Sequence, residues 1–200
     1  MSDHYFAATP GSKATPRTVT FSAYGQTYTL GSSTGVFSGD RLDLGTSVLL
    51  REVTPPAQPG VLLDLGCGWG PIASVLATQV PGSTVWAVDV NTRALDLTRD
   101  NADRLGVADR VRVAAPDDVP DDVRFDQIWS NPPIRIGKPA LHALLERWLP
   151  RLAPGGVAWL VVGRNLGADS LQRWLAEQGW RCERHASAKG FRVLAVRPPA

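Results

Sequence analysis

An apolar run that ends in a glycine-rich loop constrains the fold of this chain more than any other feature. Residues 61–65 read Val-Leu-Leu-Asp-Leu, and the next five residues, Gly-Cys-Gly-Trp-Gly, lead directly into Pro71. A short apolar run is typical of a strand buried on both faces, and proline is favoured in the first turn of a helix. The pattern therefore predicts a buried strand, a tight turn and a helix, the unit that repeats in doubly wound α/β folds.

Strand and helix patterns alternate along the rest of the chain. Further strands are predicted over residues 84–90, 111–114, 125–130, 157–162, 181–187 and 191–197, and a helix over residues 139–152 precedes the strand at 157–162. The last two strands are too close in sequence for a crossover helix, so they must form an antiparallel hairpin. We therefore predict a Rossmann-like α/β fold with a mostly parallel seven-stranded sheet, an antiparallel last strand and helices on both faces.

The residues before the glycine loop form a smaller extension. Residues 1–16 are rich in Ser, Thr, Pro, Gly and Ala, which predicts a flexible leader. Residues 17–54 are predicted to form an N-terminal hairpin, over residues 17–30, and a cap helix, over residues 42–53. Residues 60–200 are predicted to form the Rossmann-like core. With 200 residues and 44% hydrophobic content, one domain over residues 17–200 is expected.

Composition argues against several classes of protein. Cys67 and Cys182 are too few for a disulfide scaffold, which favours a reducing, cytoplasmic location. No apolar run approaches the roughly 20 residues of a membrane span, and His4, His142 and His185 are too scattered for a metal site. The net charge of +2 says little about partners, although the basic C-terminal edge suits a phosphate backbone.

The glycine loop departs from the dinucleotide-binding fingerprint in a way that changes the expected ligand. Its spacing is G-x-G-x-G, and Asp64 stands two residues before the first glycine. A carboxylate there repels a pyrophosphate but suits an ammonium group, such as the methionine end of S-adenosylmethionine. Asp89 ends the second strand, where an acceptor for two ribose hydroxyls is expected. The alternative is that the glycines only pack strand against helix while Asp64 caps the helix.

These observations predict a nucleoside-type cofactor at the carboxyl ends of the first two core strands. The predicted contacts are Asp64, Gly66, Cys67, Gly68, Gly70, Asp89 and Val90. Asp117 follows the third strand, where a carboxylate can meet the adenine amine. The alternative for Asp117 is a solvated acidic loop shared with Asp118, Asp121 and Asp122.

A second motif, Asn131-Pro132-Pro133, ends the fourth strand and carries the predicted catalytic residues. The two prolines fix the backbone and remove N–H donors, while Asn131 adds a side-chain acceptor. Acceptors from Asn131 and the Pro132 carbonyl can hold both hydrogens of an amino group, so that its lone pair faces a methyl sulfonium. The alternative is a turn that only terminates the strand.

Five blocks of sequence, in the same order, resemble the small-domain methyltransferases related to the ribosomal RNA guanine-N2 methyltransferases of the small subunit. They are residues 36–46, 64–70, 130–133, 137–138 and 189–194. The resemblance implies S-adenosylmethionine as cofactor and an exocyclic guanine amine, in ribosomal RNA, as methyl acceptor. It also implies that the segment from Phe37 to Thr46 closes over the methionine end, which adds Phe37, Thr46 and Asn131 to the cofactor contacts.

The chain also departs from that family. Ile134 follows the second proline where the family often has an aromatic residue, so stacking on the target base must come from elsewhere, such as Phe37. Pro116 stands where an acidic or amide residue is expected after the third strand. The predicted substrate contacts are Ile134, Arg135, Lys138, Lys189 and Arg192. For the basic residues, the alternative is ordinary surface charge.

Other functions remain open from the sequence. The Asn-Pro-Pro motif also suits the N6 amine of adenine in nucleic acid or the side-chain amide of glutamine in protein. A non-catalytic RNA-binding module with the same fold is a further alternative, although Asp64, Asp89 and Asn131 argue against it. A nicotinamide oxidoreductase fits the glycine spacing poorly. The sequence leaves the oligomeric state open.

Overall fold

A computed structural model of the chain describes residues 14–199, so residues 1–13, most of the predicted leader, lie outside the described residues. The strands are β1 (Pro16–Ala23), β2 (Gln26–Ser33), β3 (Val61–Leu65), β4 (Thr84–Val88), β5 (Val111–Ala114), β6 (Phe125–Ser130), β7 (Leu152–Gly163), β8 (Arg181–Ala188) and β9 (Phe191–Arg197). The helices are α1 (Leu44–Glu52), α2 (Pro71–Gln79), α3 (Thr92–Arg104), α4 (Lys138–Trp148) and α5 (Ala168–Glu177).

The main sheet confirms the predicted Rossmann-like fold. Within the described residues it has seven strands in the order β5-β4-β3-β6-β7-β9-β8. The pairs from β5 to β7 are parallel, whereas β9 is antiparallel to both β7 and β8. The strand order reverses direction at β3, whose neighbours are β4 and β6. In such sheets ligands bind in the crevice at the carboxyl ends of the strands beside this reversal.

The N-terminal hairpin is confirmed, with β1 and β2 paired in antiparallel register from Pro16 and Ser33 to Ala23 and Gln26. Tyr24 and Gly25 form its two-residue turn, with φ angles of +49° and +75°. Two successive positive φ angles are required by the turn type that matches the twist of a hairpin. β2 continues to Ser33, beyond the predicted end at residue 30, and its last residues are buried against the core.

The helix before β7 ends earlier than predicted. We expected it over residues 139–152, but α4 stops at Trp148 and a single 3₁₀ turn follows over Leu149–Arg151. Pro150 lies in that turn, and proline disrupts a continuing α-helix because it lacks the N–H and clashes with the preceding turn. β7 in turn begins at Leu152, earlier than the predicted residue 157, with an irregular register against β6.

The apolar core lies on both faces of the sheet. One cluster joins the hairpin, α1, α2 and α3 to one face, and a second joins α4 and α5 to the other. The hairpin and α1 therefore pack on the first face of the sheet. Among residues 14–199, no helix is long and apolar enough to cross a membrane.

Asn101 on α3 connects the hairpin to the glycine loop. It is fully buried, and its side chain exchanges two hydrogen bonds with the backbone of Gly31, at 2.7 and 2.8 Å. Its Nδ2 also donates to the carbonyl of Trp69 at 2.8 Å. One side chain thus satisfies three backbone groups in two separate segments, so it holds β2 against the loop that precedes α2.

We predict that Asn101→Ala lowers the free energy of unfolding by about 2–4 kcal/mol, because buried backbone groups lose their partners. Urea denaturation of the purified protein measures the change. Asp100→Ala on the exposed face of the same helix is the matched control and should shift the free energy by less than about 0.5 kcal/mol. Equal effects of the two substitutions would contradict the structural role given to Asn101.

Candidate active site

The carboxyl ends of β3 and β6 form the floor of an open cavity of about 320 Å³. The hydroxyl of Ser130, the last residue of β6, donates to the carbonyl of Leu65, the last residue of β3, at 2.7 Å. Both strand ends are buried. The glycine loop after β3 and the Asn-Pro-Pro motif after β6 therefore emerge side by side, as the sequence analysis predicts.

The glycine loop adopts backbone conformations that favour glycine. Gly66, Gly68 and Gly70 have φ angles of +77°, +56° and +83°. Gly66 and Gly68 line the cavity, whereas Gly70 begins α2 and lies against Thr98 of α3. A Cβ atom on Gly70 would lie 2.8 Å from the Thr98 side chain, so close packing adds a second reason for glycine there.

The side chain of Asp64 is a buried carboxylate that lies beneath the glycine loop. Its Oδ2 accepts a hydrogen bond from the N–H of Ala73 in α2 at 2.8 Å. Its Oδ1 is also buried and has no hydrogen-bond partner among the described residues. Burial raises the pKa of Asp64 to about 8; the Ala73 N–H opposes this increase and the Asp89 carboxylate adds to it. An unpartnered buried oxygen fits a ligand with an ammonium group, which would supply both the missing hydrogen bond and a compensating charge.

Asp89 stands at the end of β4, on the other side of the loop. Its Oδ2 accepts from the N–H of Gly68 and its Oδ1 from the N–H of Asn91, both at 2.9 Å. Burial raises its pKa, while the backbone N–H groups that it accepts from lower it. A carboxylate can accept about four hydrogen bonds, so capacity remains for a pair of hydroxyl groups. Val90 follows with 46% exposure and lines the cavity beside Asp89.

The predicted adenine contact at Asp117 is placed differently from Asp64 and Asp89. Pro116 lines the cavity, whereas Asp117 is exposed and forms an ion pair with Arg147 of α4 at 2.8 Å. A single 3₁₀ turn over Pro116–Asp118 follows β5, so Pro116 and Asp117 face in different directions. A role for Asp117 at the adenine stays a prediction.

Asn131 lines the cavity at the end of β6, and its carboxamide is held by α1. Its Nδ2 donates to Asp43 Oδ1 at 2.6 Å and to Thr46 Oγ1 at 3.1 Å. The carbonyl of Pro132 accepts from the N–H of Ile134 at 2.8 Å, which leaves one of its two lone pairs for an acceptor amine. Asp43 was not among the predicted site residues. Its one signal in the sequence was its place in the 36–46 block.

Apolar side chains form the walls of the cavity around Asn131. Phe37 is 43% exposed and Ile134 is partly buried, and both line it. Phe191, the first residue of β9, lines it as well, although the sequence analysis did not assign it a role in the site. Thr46 and Cys67 line a smaller adjoining cavity that also contacts Phe37 and Asn131. An acceptor with a flat apolar face fits such walls.

Three of the four predicted basic substrate contacts, Lys138, Lys189 and Arg192, do not line the cavity. Lys138 is exposed at the start of α4, and Lys189 is exposed in the turn before β9 with φ of +48°. Arg192 is largely buried and forms an ion pair with Asp169 of α5, so its charge is already compensated. The side chain of Arg135 lies outside the described part of the chain. Contact of these residues with a substrate stays a prediction.

No group of three or more His, Cys, Asp or Glu residues among residues 14–199 could hold a metal ion. The cavity instead presents the Asp43 and Asp89 carboxylates, the Asn131 carboxamide and the Pro132 backbone. Two buried carboxylates on one side and an amide with a proline carbonyl on the other suit a cationic nucleoside cofactor beside an amine acceptor. This combination defines a nucleoside-cofactor enzyme of the Rossmann-like class.

Comparison with known proteins gives the family. The methyltransferase small-domain family matches residues 27–195, and the chain belongs to that family. It is an S-adenosylmethionine-dependent methyltransferase. The protein YbxB of Bacillus subtilis (strain 168), described as uncharacterized, is 35% identical over 200 residues, which is 98% of this chain and 99% of YbxB.

Other relatives carry a functional name. Ribosomal RNA small subunit methyltransferase C of Acinetobacter baumannii (strain AYE) is 31% identical over 184 residues, which cover 89% of this chain and 53% of that protein. This chain thus spans about half the length of that relative. The fold is also similar to the structure of the T. thermophilus 16S rRNA N2 methyltransferase RsmC with AdoMet and guanosine. The TM-score is 0.80 at 24% identity, over 92% of this chain and 50% of RsmC.

We predict that Asp64→Asn stabilises the cofactor-free protein increasingly as the pH rises from about 5 to about 8. The folded-state pKa of Asp64, about 8, lies above the unfolded value of about 3.9, so the folded wild type binds more protons in this range and loses stability as pH rises. The asparagine variant has no ionisable group at this position, so it does not lose this stability as the pH rises. Urea denaturation at several pH values measures the difference, which should level off above about pH 8.

The same substitution should weaken binding of S-adenosylmethionine in isothermal titration calorimetry, because a neutral amide cannot pair with an ammonium group. A stability difference that stays constant between pH 5 and 8 would show that Asp64 ionises normally in the folded protein. Unchanged cofactor affinity would remove Asp64 from the binding site.

Proposed function

We propose that this methyltransferase transfers a methyl group to an exocyclic amine of RNA, namely the N2 amine of guanine in ribosomal RNA. The observation that carries the proposal is the position of Asn131 and Pro132 in the wall of the same cavity as Asp64's loop and Asp89. Asp89 and the amine acceptors thus face one shared space, and Asp64 lies buried beneath the loop that lines it. Transfer of a methyl group between two bound molecules requires that their reacting atoms lie close together.

Asp64 and Asp89 bind the two ends of the cofactor in this proposal. The free Oδ1 of Asp64 accepts from the ammonium group of the methionine end. Asp89 accepts from the ribose hydroxyls, held in place by the N–H groups of Gly68 and Asn91. Pro116 and Val90 contribute apolar contacts for the adenine ring.

Asn131 and Pro132 orient the acceptor amine. The side-chain oxygen of Asn131 and the free lone pair of the Pro132 carbonyl accept its two hydrogens. When bound, S-adenosylmethionine supplies an electrophilic methyl group on a sulfonium. Transfer of this methyl group to the amine held by Asn131 and Pro132 would form the C–N bond and break the S–C bond, with the electron pair left on the thioether sulfur and one amine proton released to water. No strong general base is needed, since hydrogen bonds from the amine to Asn131 and Pro132 increase its nucleophilicity.

Two kinds of observation support guanine in RNA as the acceptor. Relatives that match 89% of this chain carry the name ribosomal RNA small subunit methyltransferase C. The cavity also has apolar walls at Phe37, Ile134 and Phe191, which suit the flat face of a base. Proteins recognise unpaired bases in RNA by stacking on their faces. A guanine would therefore have to be unpaired to enter this cavity. Such an enzyme is expected in the cytoplasm, where ribosomes are assembled.

The acceptor can be identified by methylation of separate pools. The purified protein is incubated with labelled S-adenosylmethionine and with total RNA, genomic DNA or protein extract from cells that lack its gene. Label recovered as N2-methylguanosine in ribosomal RNA is the expected result. Label recovered as N6-methyladenine or as methylglutamine would overturn the substrate, and no label in any pool, with cofactor binding retained, would favour a non-catalytic RNA-binding role.

We predict that Asn131→Ala lowers kcat by about 100- to 1000-fold, because one acceptor that polarises the amine is lost. Affinity for S-adenosylmethionine should change much less. Gln178→Ala, which removes a carboxamide from the exposed end of α5, is the matched control and should keep the wild-type kcat. Full activity of Asn131→Ala on its identified acceptor would refute the role of the Asn-Pro-Pro motif.

A further inference from the structure

We propose that Asp43 and Thr46 are positioning residues that lock the carboxamide of Asn131 in the orientation needed to accept a hydrogen from the acceptor amine. Gly45 provides the space for this contact. The inference rests on the proposed function, because it concerns the residue that would hold the amine. It assigns a role to the N-terminus of α1 that the cavity geometry alone does not reveal.

The contacts of the Asn131 side chain carry the proposal. Both hydrogens of its Nδ2 group have an acceptor, namely Asp43 Oδ1 at 2.6 Å and Thr46 Oγ1 at 3.1 Å. A carboxylate can only accept hydrogen bonds, so the nitrogen of the carboxamide must be the atom that faces Asp43. The oxygen, Oδ1, is thereby turned away from Asp43. No described residue donates a hydrogen bond to this oxygen.

Asp43 is itself fixed by the helix that it begins. As the N-cap of α1, its Oδ1 accepts from the N–H of Gly45 at 2.8 Å and from the N–H of Thr46 at 3.2 Å. An acidic side chain at this position is also favoured by the helix dipole. The same oxygen therefore caps the helix and holds Asn131, so the position of α1 determines the orientation of the amide.

Close packing limits the alternatives open to Asn131. A Cβ atom on Gly45 would lie 3.1 Å from Asn131 Oδ1, 3.0 Å from Asp43 Oδ1 and 3.0 Å from Cε1 of Phe191. Thr46 is buried, so its hydroxyl also has few alternative positions. The carboxamide is thus oriented before any acceptor binds, which avoids an ordering cost in the transition state.

Three variants test the proposal, each measured on the acceptor identified from the separate pools. Thr46→Val removes one hydrogen bond in a side chain of the same shape and should lower kcat about three- to tenfold. Asp43→Ser retains a capping oxygen for α1 but is too short to reach Asn131, and should lower kcat further. Gly45→Ala removes no hydrogen bond but displaces the amide, and about 100-fold loss is expected. Thr29→Val, which removes a hydroxyl contact on the exposed hairpin, is the matched control and should keep the wild-type kcat.

A double-mutant cycle separates positioning from other roles of the same residues. If Thr46 acts through Asn131, then Thr46→Val has no further effect on kcat in an Asn131→Ala background. If Thr46 instead contacts the cofactor or only stabilises α1, the loss caused by Thr46→Val persists in that background. Persistence of the full loss, or unchanged kcat of Thr46→Val in the wild-type background, overturns the proposal.

Side-chain amide resonances test the lock without any acceptor. In ¹⁵N-labelled protein, the Asn131 side-chain amide is identified as the signal missing from Asn131→Asp. It should exchange slowly with solvent in the wild type and faster in Thr46→Val. Rapid exchange in the wild type would overturn the proposal even if methyl transfer to RNA is found. Conversely, a protected amide in a protein that methylates no pool would support the lock and reject the proposed function.

Discussion

Pairing of β3 with β6 at the centre of the sheet is the constraint on which the rest of the site depends. It sets Asp64 of β3 opposite Trp129 of β6, and the Ser130 hydroxyl joins the two strand ends at the Leu65 carbonyl. Since both strands are parallel, their carboxyl ends meet at one edge. The glycine loop and the Asn-Pro-Pro motif are therefore neighbours, although 60 or more residues separate them in sequence.

The buried carboxylate of Asp64 links this geometry to stability. Desolvation without a partner for Oδ1 raises its pKa to about 8, which disfavours the charged form in the cofactor-free protein. A ligand ammonium group reverses this effect, because an opposite charge favours the carboxylate. The fold thus keeps an energetically unfavourable group beneath the glycine loop, where we propose that the cofactor binds, as functional sites commonly do.

Local sequence patterns predicted most of the core because each reports a local physical requirement. The glycine loop before Pro71 and the apolar run of β3 were located to the residue. Several boundaries were wrong. β2 extends beyond residue 30, α4 ends where Pro150 interrupts the helix, and β7 begins earlier than predicted, where its irregular pairing with β6 leaves no periodic signal. Asp117 follows β5 and Arg192 lies at the start of β9, as predicted, yet their charges are engaged by Arg147 and Asp169, which no local pattern indicates.

The sequence by itself determined the strand-loop-helix unit, the acidic residues at strand ends and the Asn-Pro-Pro motif, because these depend on residues close together in the chain. Only the tertiary structure decided how the Asn131 carboxamide is oriented. Its partner Asp43 lies 88 residues away, on a helix packed against the other side of the crevice. A hydrogen bond between such distant side chains depends on how whole elements pack, and sequence periodicity does not determine that packing.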